Sequence, residues 1–369
     1  MNKKGFEVTN IKKFEDNDSV VFRGDGEPRT TNNLLLRLNE FANKNQIEDD
    51  DFSLGGIVSQ LETEMASRLG KQAAIFIPSG TLANHLAIRK HAATQGRAVV
   101  QEQSHIFNDT GDSIQRLSGI NLVPLAQNRV YFDANELNKA YITSVTGRVL
   151  NPISVVSIET PVRRQHGQVV PWEHLVELTK FCKTNKIPCH LDGARIFMQA
   201  AVTGRSVEEY ASLFDSVYVS LYKYLGTPFG SILAGEKDFI EGMYHERRMF
   251  GGGLANVSLI AALALNGLER FEHEFPESIN KALQLFPSLN ELEHIEIQSF
   301  EHGSNIFRLI LSEGICVDSF IRNLKSVRIF VYTEPSNEIY LHVNATILKR
   351  PNHEIISAFS DAISKSVKK

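Results

Sequence analysis

Two residues of this sequence carry complementary chemistry at the ends of apolar runs. Asp192 closes Ile187-Pro-Cys-His-Leu-Asp192 and is followed by Gly-Ala-Arg195; Lys223 ends Ser216-Val-Tyr-Val-Ser-Leu-Tyr-Lys223 and is followed by Tyr-Leu-Gly226. Both runs read as buried strands that end in a turn. A carboxylate and an amine at the ends of neighbouring strands suit pyridoxal phosphate (PLP) chemistry. The amine condenses with the cofactor aldehyde, and the carboxylate pairs with the pyridine nitrogen, keeping it protonated and electron-withdrawing. Either residue alone has an ordinary explanation, a solvated strand-end lysine or an Asp-Gly turn. The weight lies in the pair and its surroundings.

Pro78-Ser79-Gly80-Thr81 falls between a strand and a helix. Free N–H groups in the first helical turn, the helix dipole and the hydroxyls of Ser79 and Thr81 make a ready anion site. An ordinary N-cap explains the same residues, and the Asp/Lys pair tips the balance toward phosphate. His105, in Glu102-Gln-Ser-His-Ile-Phe-Asn108, follows another strand. A lone histidine is more often a satisfied loop or core residue. A third strand-end position suggests the same crevice, where an imidazole stacks on a ring and exchanges protons near neutral pH.

The elements that must position these groups alternate between helix and strand over about residues 55–235. Ile57, Leu61, Met65 and Leu69 repeat at helical spacing, with Gly70 as C-cap. Short apolar runs at 73–77, 98–100, 121–125, 153–158 and 231–234 read as strands, alongside the two that carry Asp192 and Lys223; 82–91 and 172–183 read as helices. This order predicts an α/β fold with a mostly parallel sheet covered on both faces. Such sheets bind ligands at the carboxyl ends of their strands, where Ser79, Asp192 and Lys223 fall. The triple glycine of Phe250-Gly-Gly-Gly253 punctuates the chain, and a helix over 257–268 follows it. Beyond it, strands are expected at 305–311, 327–332 and 339–343 in a smaller α+β domain. The division is then an N-terminal segment, 1–30, a large cofactor-binding domain, 31–270, and a small C-terminal domain, 271–369.

Composition narrows the class. A chain of 369 residues buries a large core, and its net charge of −4 is dispersed without a basic block, so nucleic-acid binding is not expected. Cys182, Cys189 and Cys316 are odd in number and lack metal-ligand spacing, so neither a disulfide framework nor a metal site is indicated. Met1-Asn-Lys-Lys-Gly-Phe-Glu-Val8 lacks the apolar region of a signal peptide. No apolar run approaches the length of a membrane span. A soluble cytoplasmic protein is expected.

Several stretches resemble the threonine aldolase and β-eliminating lyase family of fold-type-I PLP enzymes, over roughly residues 20–270. They are Phe76-Ile-Pro-Ser-Gly-Thr-Leu-Ala-Asn84, Ser104-His-Ile-Phe107, Glu159-Thr160 with Gly167, and His190-Leu-Asp-Gly-Ala-Arg-Ile-Phe197. Leu221-Tyr-Lys223 with Leu225, Gly226 and Pro228, and Arg248 with Gly251-Gly-Gly253, complete the set. The resemblance implies that Lys223 is the Schiff-base lysine and Asp192 the pyridinium partner. It implies that His105 stacks on the ring and assists proton transfer, that Gly80 and Thr81 bind phosphate, and that Arg195 grips the substrate carboxylate. It also implies a homodimer or homotetramer with shared active sites.

Three departures fall at positions where the family contacts its ligands. A serine that helps hold the carboxylate aligns with Gly24, a phosphate-binding arginine from a neighbouring subunit with Ala255, and a second carboxylate-binding arginine with Glu338. The family's tyrosine before the helix that begins near Ile57 aligns with Phe52. Carboxylate recognition is therefore expected to rest on Arg195, helped by Arg23, Arg29 or Arg164. The implied reaction is cleavage of the Cα–Cβ bond of a β-hydroxy-α-amino acid, as in a threonine aldolase, giving glycine and an aldehyde. β-Elimination, amino transfer or a catalytically degenerate PLP-binding protein are the alternatives.

Overall fold

A computed structural model describes residues 18–93, 96–334 and 338–368, which fall into two units. One comprises Gln46–Leu265 and Phe300–Ser304; the other takes the described chain up to Asn45, Asn266–Ser299 and the described chain from Asn305. The N-terminal octapeptide considered above lies outside the described residues.

The first unit is built on a seven-stranded sheet. Its strands are β1 (Ala73–Ile77), β2 (Arg97–Gln101), β3 (Asn121–Leu125), β4 (Ile153–Glu159), β5 (Cys189–Asp192), β6 (Ser216–Ser220) and β7 (Ser231–Gly235). They lie in the order β1-β7-β6-β5-β4-β2-β3. β7 runs antiparallel to β1 and β6; all other pairs are parallel. Every residue of β5, β6 and β7 is buried, as expected for strands covered on both faces.

Register sets the site. Glu159 of β4 lies opposite Asp192 of β5, and Asp192 opposite Tyr218 of β6. One layer deeper, Ser157, His190 and Ser216 form a second row. Because side chains alternate along a strand, both rows project from the same face.

Helices α1 (Gly56–Arg68) and α2 (Gly80–Ala92) flank β1, and α3 (Trp172–Thr184) and α4 (Ile196–Thr203) flank β5. α2 covers the face that carries both rows: its Ala83, Leu86 and Ala87 pack with Ile75, Ile77, Tyr218 and Leu233 in one apolar cluster. The backbone N–H of Leu82 donates to Ser79 Oγ, capping α2. Cys182 and Cys189 are free thiols, both buried between α3 and β5.

In the second unit, strands β8 (Ile295–Ser299), β9 (Ile306–Leu311) and β10 (Ile339–His342) form an antiparallel sheet with β9 in the centre. The expected strand over 327–332 shrinks to Ile329–Phe330, which pairs in parallel with Val20–Val21. The expected boundary near residue 270 falls inside one continuous helix, α5 (Ser258–Asn290). Two internal prolines, Pro276 and Pro287, do not end it. A proline costs about 3 kcal/mol in a helix interior. Burial of Ala282, Leu285, Phe286 and Leu289 in the unit's core outweighs that cost. Among the described residues no helix is long and apolar enough to cross a membrane.

Candidate active site

The sequence-predicted residues meet at the carboxyl ends of the parallel strands. Asp192 is the last residue of β5 and almost wholly buried; Lys223 sits half-buried in the turn after β6. Tyr218 links them. Its ring centroid lies 5.9 Å from Lys223 Nζ, and the Tyr222 ring is at 5.8 Å from the same atom. A Cβ on Gly80 would fall 1.9 Å from the Tyr218 hydroxyl, so the start of α2 passes directly against that phenol. Burial pushes the phenol pKa well up, and the charge of Asp192 adds to it, so Tyr218 stays a neutral hydrogen-bonding group. Arg195, half-buried at the start of α4, acts electrostatically on the same phenol.

The Asp192 carboxylate is held from two sides. Asn84 Nδ2 donates to Oδ2 at 2.7 Å, and the Ala194 N–H donates to Oδ1 at 3.2 Å. Ionised oxygens accept about four hydrogen bonds between them, so acceptor capacity remains for a further donor.

Glu159 faces Asp192 across the strand pair. Its carboxylate accepts the backbone N–H of His105 at 2.5 Å and of Arg163 at 2.9 Å, while Gln101 clamps its backbone through both amide atoms. Burial drives the Glu159 pKa up, and the charge of Asp192 pushes it further in the same direction. The two carboxyl groups therefore differ in charge, with Glu159 held toward its neutral form and the negative charge left on Asp192. A buried carboxylate with acceptor capacity left over fits a cationic ring N–H at Asp192.

His105 opens a one-turn helix, His105–Asn108. Its Nε2 lies 3.3 Å from Thr81 Oγ1 and its Nδ1 3.5 Å from Asp109 Oδ2. Asp109 is in turn held by Arg164 at 2.9 Å; burial pushes its pKa up, but the Arg164 hydrogen bond together with the charges of Arg164, His105 and Arg163 brings it below the usual carboxylate value. Arg164, considered above as a carboxylate helper, is thus engaged by Asp109. Thr81 joins His105 to the α2 N-terminus, where Gly80 and Thr81 present first-turn N–H groups. The Ser79 hydroxyl accepts from Leu82 and keeps its own proton to donate. The cap is therefore observed, and it leaves the Ser79 hydroxyl proton available to an anion.

Four positions departed from the pattern in the sequence. Ala255 accepts the Phe52 N–H through its carbonyl, and the Phe52 ring lies 4.6 Å under the Arg248 guanidinium. In the second unit, Glu338 pairs with Arg308 at 2.8 Å, and the Gly24 carbonyl accepts from Asn344 at 3.2 Å.

Sequence reasoning gave no role to Asn84, Glu159, His190 or Tyr218, though the first three lie in matched stretches. The missed signal was periodicity: His190 and Asp192 are two apart on a strand, and Gly80 and Asn84 are four apart on a helix.

The sequence model for beta-eliminating lyases matches residues 40–310, more than half of the chain. The chain belongs to the beta-eliminating lyase family. A protein assigned as a low-specificity L-threonine aldolase in Schizosaccharomyces pombe is 33% identical over 231 residues, which are 62% of this chain and 58% of that protein. Low-specificity L-threonine aldolase 1 of Arabidopsis thaliana is 26% identical over 349 residues, 94% of this chain and 96% of the relative. Among solved structures, one designated an L-allo-threonine aldolase from Listeria monocytogenes superposes with a TM-score of 0.79 at 25% identity, covering 95% of this chain and 98% of that one. This member of the beta-eliminating lyase family therefore has the fold-type-I architecture that the resemblance implied.

Proposed function

We propose that the chain is a PLP-dependent aldehyde-lyase that cleaves the Cα–Cβ bond of a β-hydroxy-α-amino acid, giving glycine and an aldehyde. The observation that carries this reading is the convergence of Lys223, Asp192 and the α2 N-terminus on Tyr218, in a chain whose relatives bear threonine aldolase names. PLP, when bound, supplies the electron sink for the breaking bond.

The residues divide the remaining work. Lys223 would hold the cofactor through its amine. Asp192, fixed by Asn84, would accept a hydrogen bond from the ring nitrogen. Ser79, Gly80 and Thr81 bind phosphate at the positive end of α2. Arg195 orients the substrate carboxylate with its planar fork. Asp109 favours the Nδ1–H form of His105, which leaves Nε2 to accept the β-hydroxyl proton directly or through a water.

The family resemblance supports a homodimer or homotetramer, tested by sedimentation equilibrium. The free, buried thiols of Cys182 and Cys189 support a reducing, cytoplasmic setting. The deciding assay supplies PLP and offers threonine, allo-threonine and phenylserine, with aldehyde and glycine measured together. Equal release of both is expected. Keto acid and ammonia without aldehyde would instead assign β-elimination, and no turnover at all would leave a binding protein.

A further inference from the structure

A chain of hydrogen bonds runs from Asp192 into the protein where α2 covers β5 and β6. Asn84 Nδ2 lies 2.7 Å from Asp192 Oδ2, and Asn84 Oδ1 lies 2.9 Å from His190 Nε2. His190 Nδ1 is 2.8 Å from Ser216 Oγ, which is 2.7 Å from His91 Nε2. Asn84, His190 and Ser216 are completely buried, and His91 closes the chain stacked on Phe239 at 4.6 Å. The placement follows from periodicity. Asn84 and His91 are seven apart, about two turns along one face of α2. His190 and Asp192 share a face of β5, and Ser216 stands opposite His190 on β6.

Proton positions follow from what each atom can do. An ionised carboxylate only accepts, so the Asn84 amide turns Nδ2 to Asp192 and its carbonyl to His190. That carbonyl only accepts, so His190 carries its proton on Nε2. Burial drives His190 down to about 3 and His91 down to about 4, so both rings are neutral. The free Nδ1 of His190 takes the Ser216 hydroxyl proton, and Ser216 Oγ accepts from His91 Nε2. Every donor in the chain points toward Asp192, and aligned hydrogen bonds polarise one another.

We infer that Asn84, His190, Ser216 and His91 are positioning residues: a one-way relay that orients the Asp192 carboxylate and keeps it the acceptor, with the proton on the cofactor ring. This rests on Asp192 as the partner of the PLP nitrogen. Asn84 hands the carboxylate a donor already polarised from behind. A truncated Asn84 leaves Oδ2 buried without it, and the His190 ring loses its acceptor.

The relay is tested first on the cofactor-free protein labelled with 15N-histidine, with His190 assigned by comparison with His190→Gln. Protonation at Nε2 with a bare Nδ1, persisting down to pH 5, is the expected result; an Nδ1–H tautomer or an imidazolium would overturn the relay. This measurement is made on the unsubstituted chain. In the PLP-loaded protein, Asn84→Leu should lower kcat about ten- to a hundred-fold with little change in KM, as loss of one charged hydrogen bond dictates. It should also shift the pH midpoint of the cofactor absorption band while the borohydride-reducible adduct on Lys223 persists. His190→Gln alone, which can still present an N–H to Asn84, should keep most of the turnover and leave the band midpoint close to that of the unsubstituted protein. An Asn84→Leu protein with unchanged band and kcat would sink the proposal. Asp192→Asn separates the two readings: if it too leaves band and turnover unchanged, the assignment of Asp192 itself has failed, whatever the His190 tautomer.

Discussion

Lys223 and Gly80 are the residues at which single atoms decide the site. Lys223 is half-buried among the Tyr218 and Tyr222 rings. Lys223→Ala should abolish any borohydride-reducible cofactor adduct, read by peptide mass. An adduct that survives in that variant would remove the lysine from the mechanism. At Gly80 the missing side chain matters because the Tyr218 phenol occupies the position a Cβ would take, 1.9 Å away. Overpacking of this kind costs about 1–3 kcal/mol. Gly80→Ala should therefore lower the denaturation midpoint and, by displacing the phenol or the first turn of α2, weaken PLP binding. An alanine variant with normal stability and normal cofactor affinity would show that the contact is soft.

Elements transmit constraints that no single residue states. Glu62 of α1 accepts the Phe76 N–H of β1 at 2.8 Å, tying helix to sheet. Burial pushes its carboxyl up to about 7, against 4.5 in the unfolded chain. Between those values the folded protein keeps a proton that the unfolded chain releases, so this group's contribution to stability falls as pH rises from about 4.5 to 7. Glu62→Gln keeps the acceptor and removes the titration. Its stability relative to the unsubstituted protein should rise between pH 5 and pH 8, as read from urea midpoints at the two values. A constant difference would show that Glu62 titrates normally. Element prediction itself succeeded where one periodicity dominated: β1 and β3 begin and end where their apolar runs do. It stopped α5 some twenty residues early, because local propensity around Pro276 competes with burial of a stripe that only the second unit's core reveals.

At the scale of the whole molecule, the proposed function makes substrate preference depend on which groups are free to hold a carboxylate. In the second unit Glu338 is committed to Arg308, and Gly24 offers no side chain; in the first, Arg164 is engaged by Asp109. On the proposed function, Arg195 is then expected to bear most of the carboxylate recognition. Losing one charged hydrogen bond costs roughly 1.5–3 kcal/mol, about ten- to a hundred-fold in affinity. The kcat/KM for threonine should accordingly be low. Phenylserine, whose ring supplies other binding energy, should exceed it. A clear preference for threonine would show that the carboxylate is held by more than Arg195.

The sequence alone determined the alternating α/β order, the strand ends that carry Asp192 and Lys223, and the cap before α2. Each of these is written in local periodicity or in a few adjacent residues. His105 was legible as a strand-end residue, but its contacts with Thr81 and Asp109 were not. Tertiary structure alone decided that Glu159, Asp192 and Tyr218 stand in one row, because register depends on strand pairing between segments far apart in the chain. It likewise brought Asn84 and His91 of α2 onto His190 and Ser216. A helix shows from its own sequence which residues share a face; only packing shows what that face covers, and here it covers the back of the carboxylate.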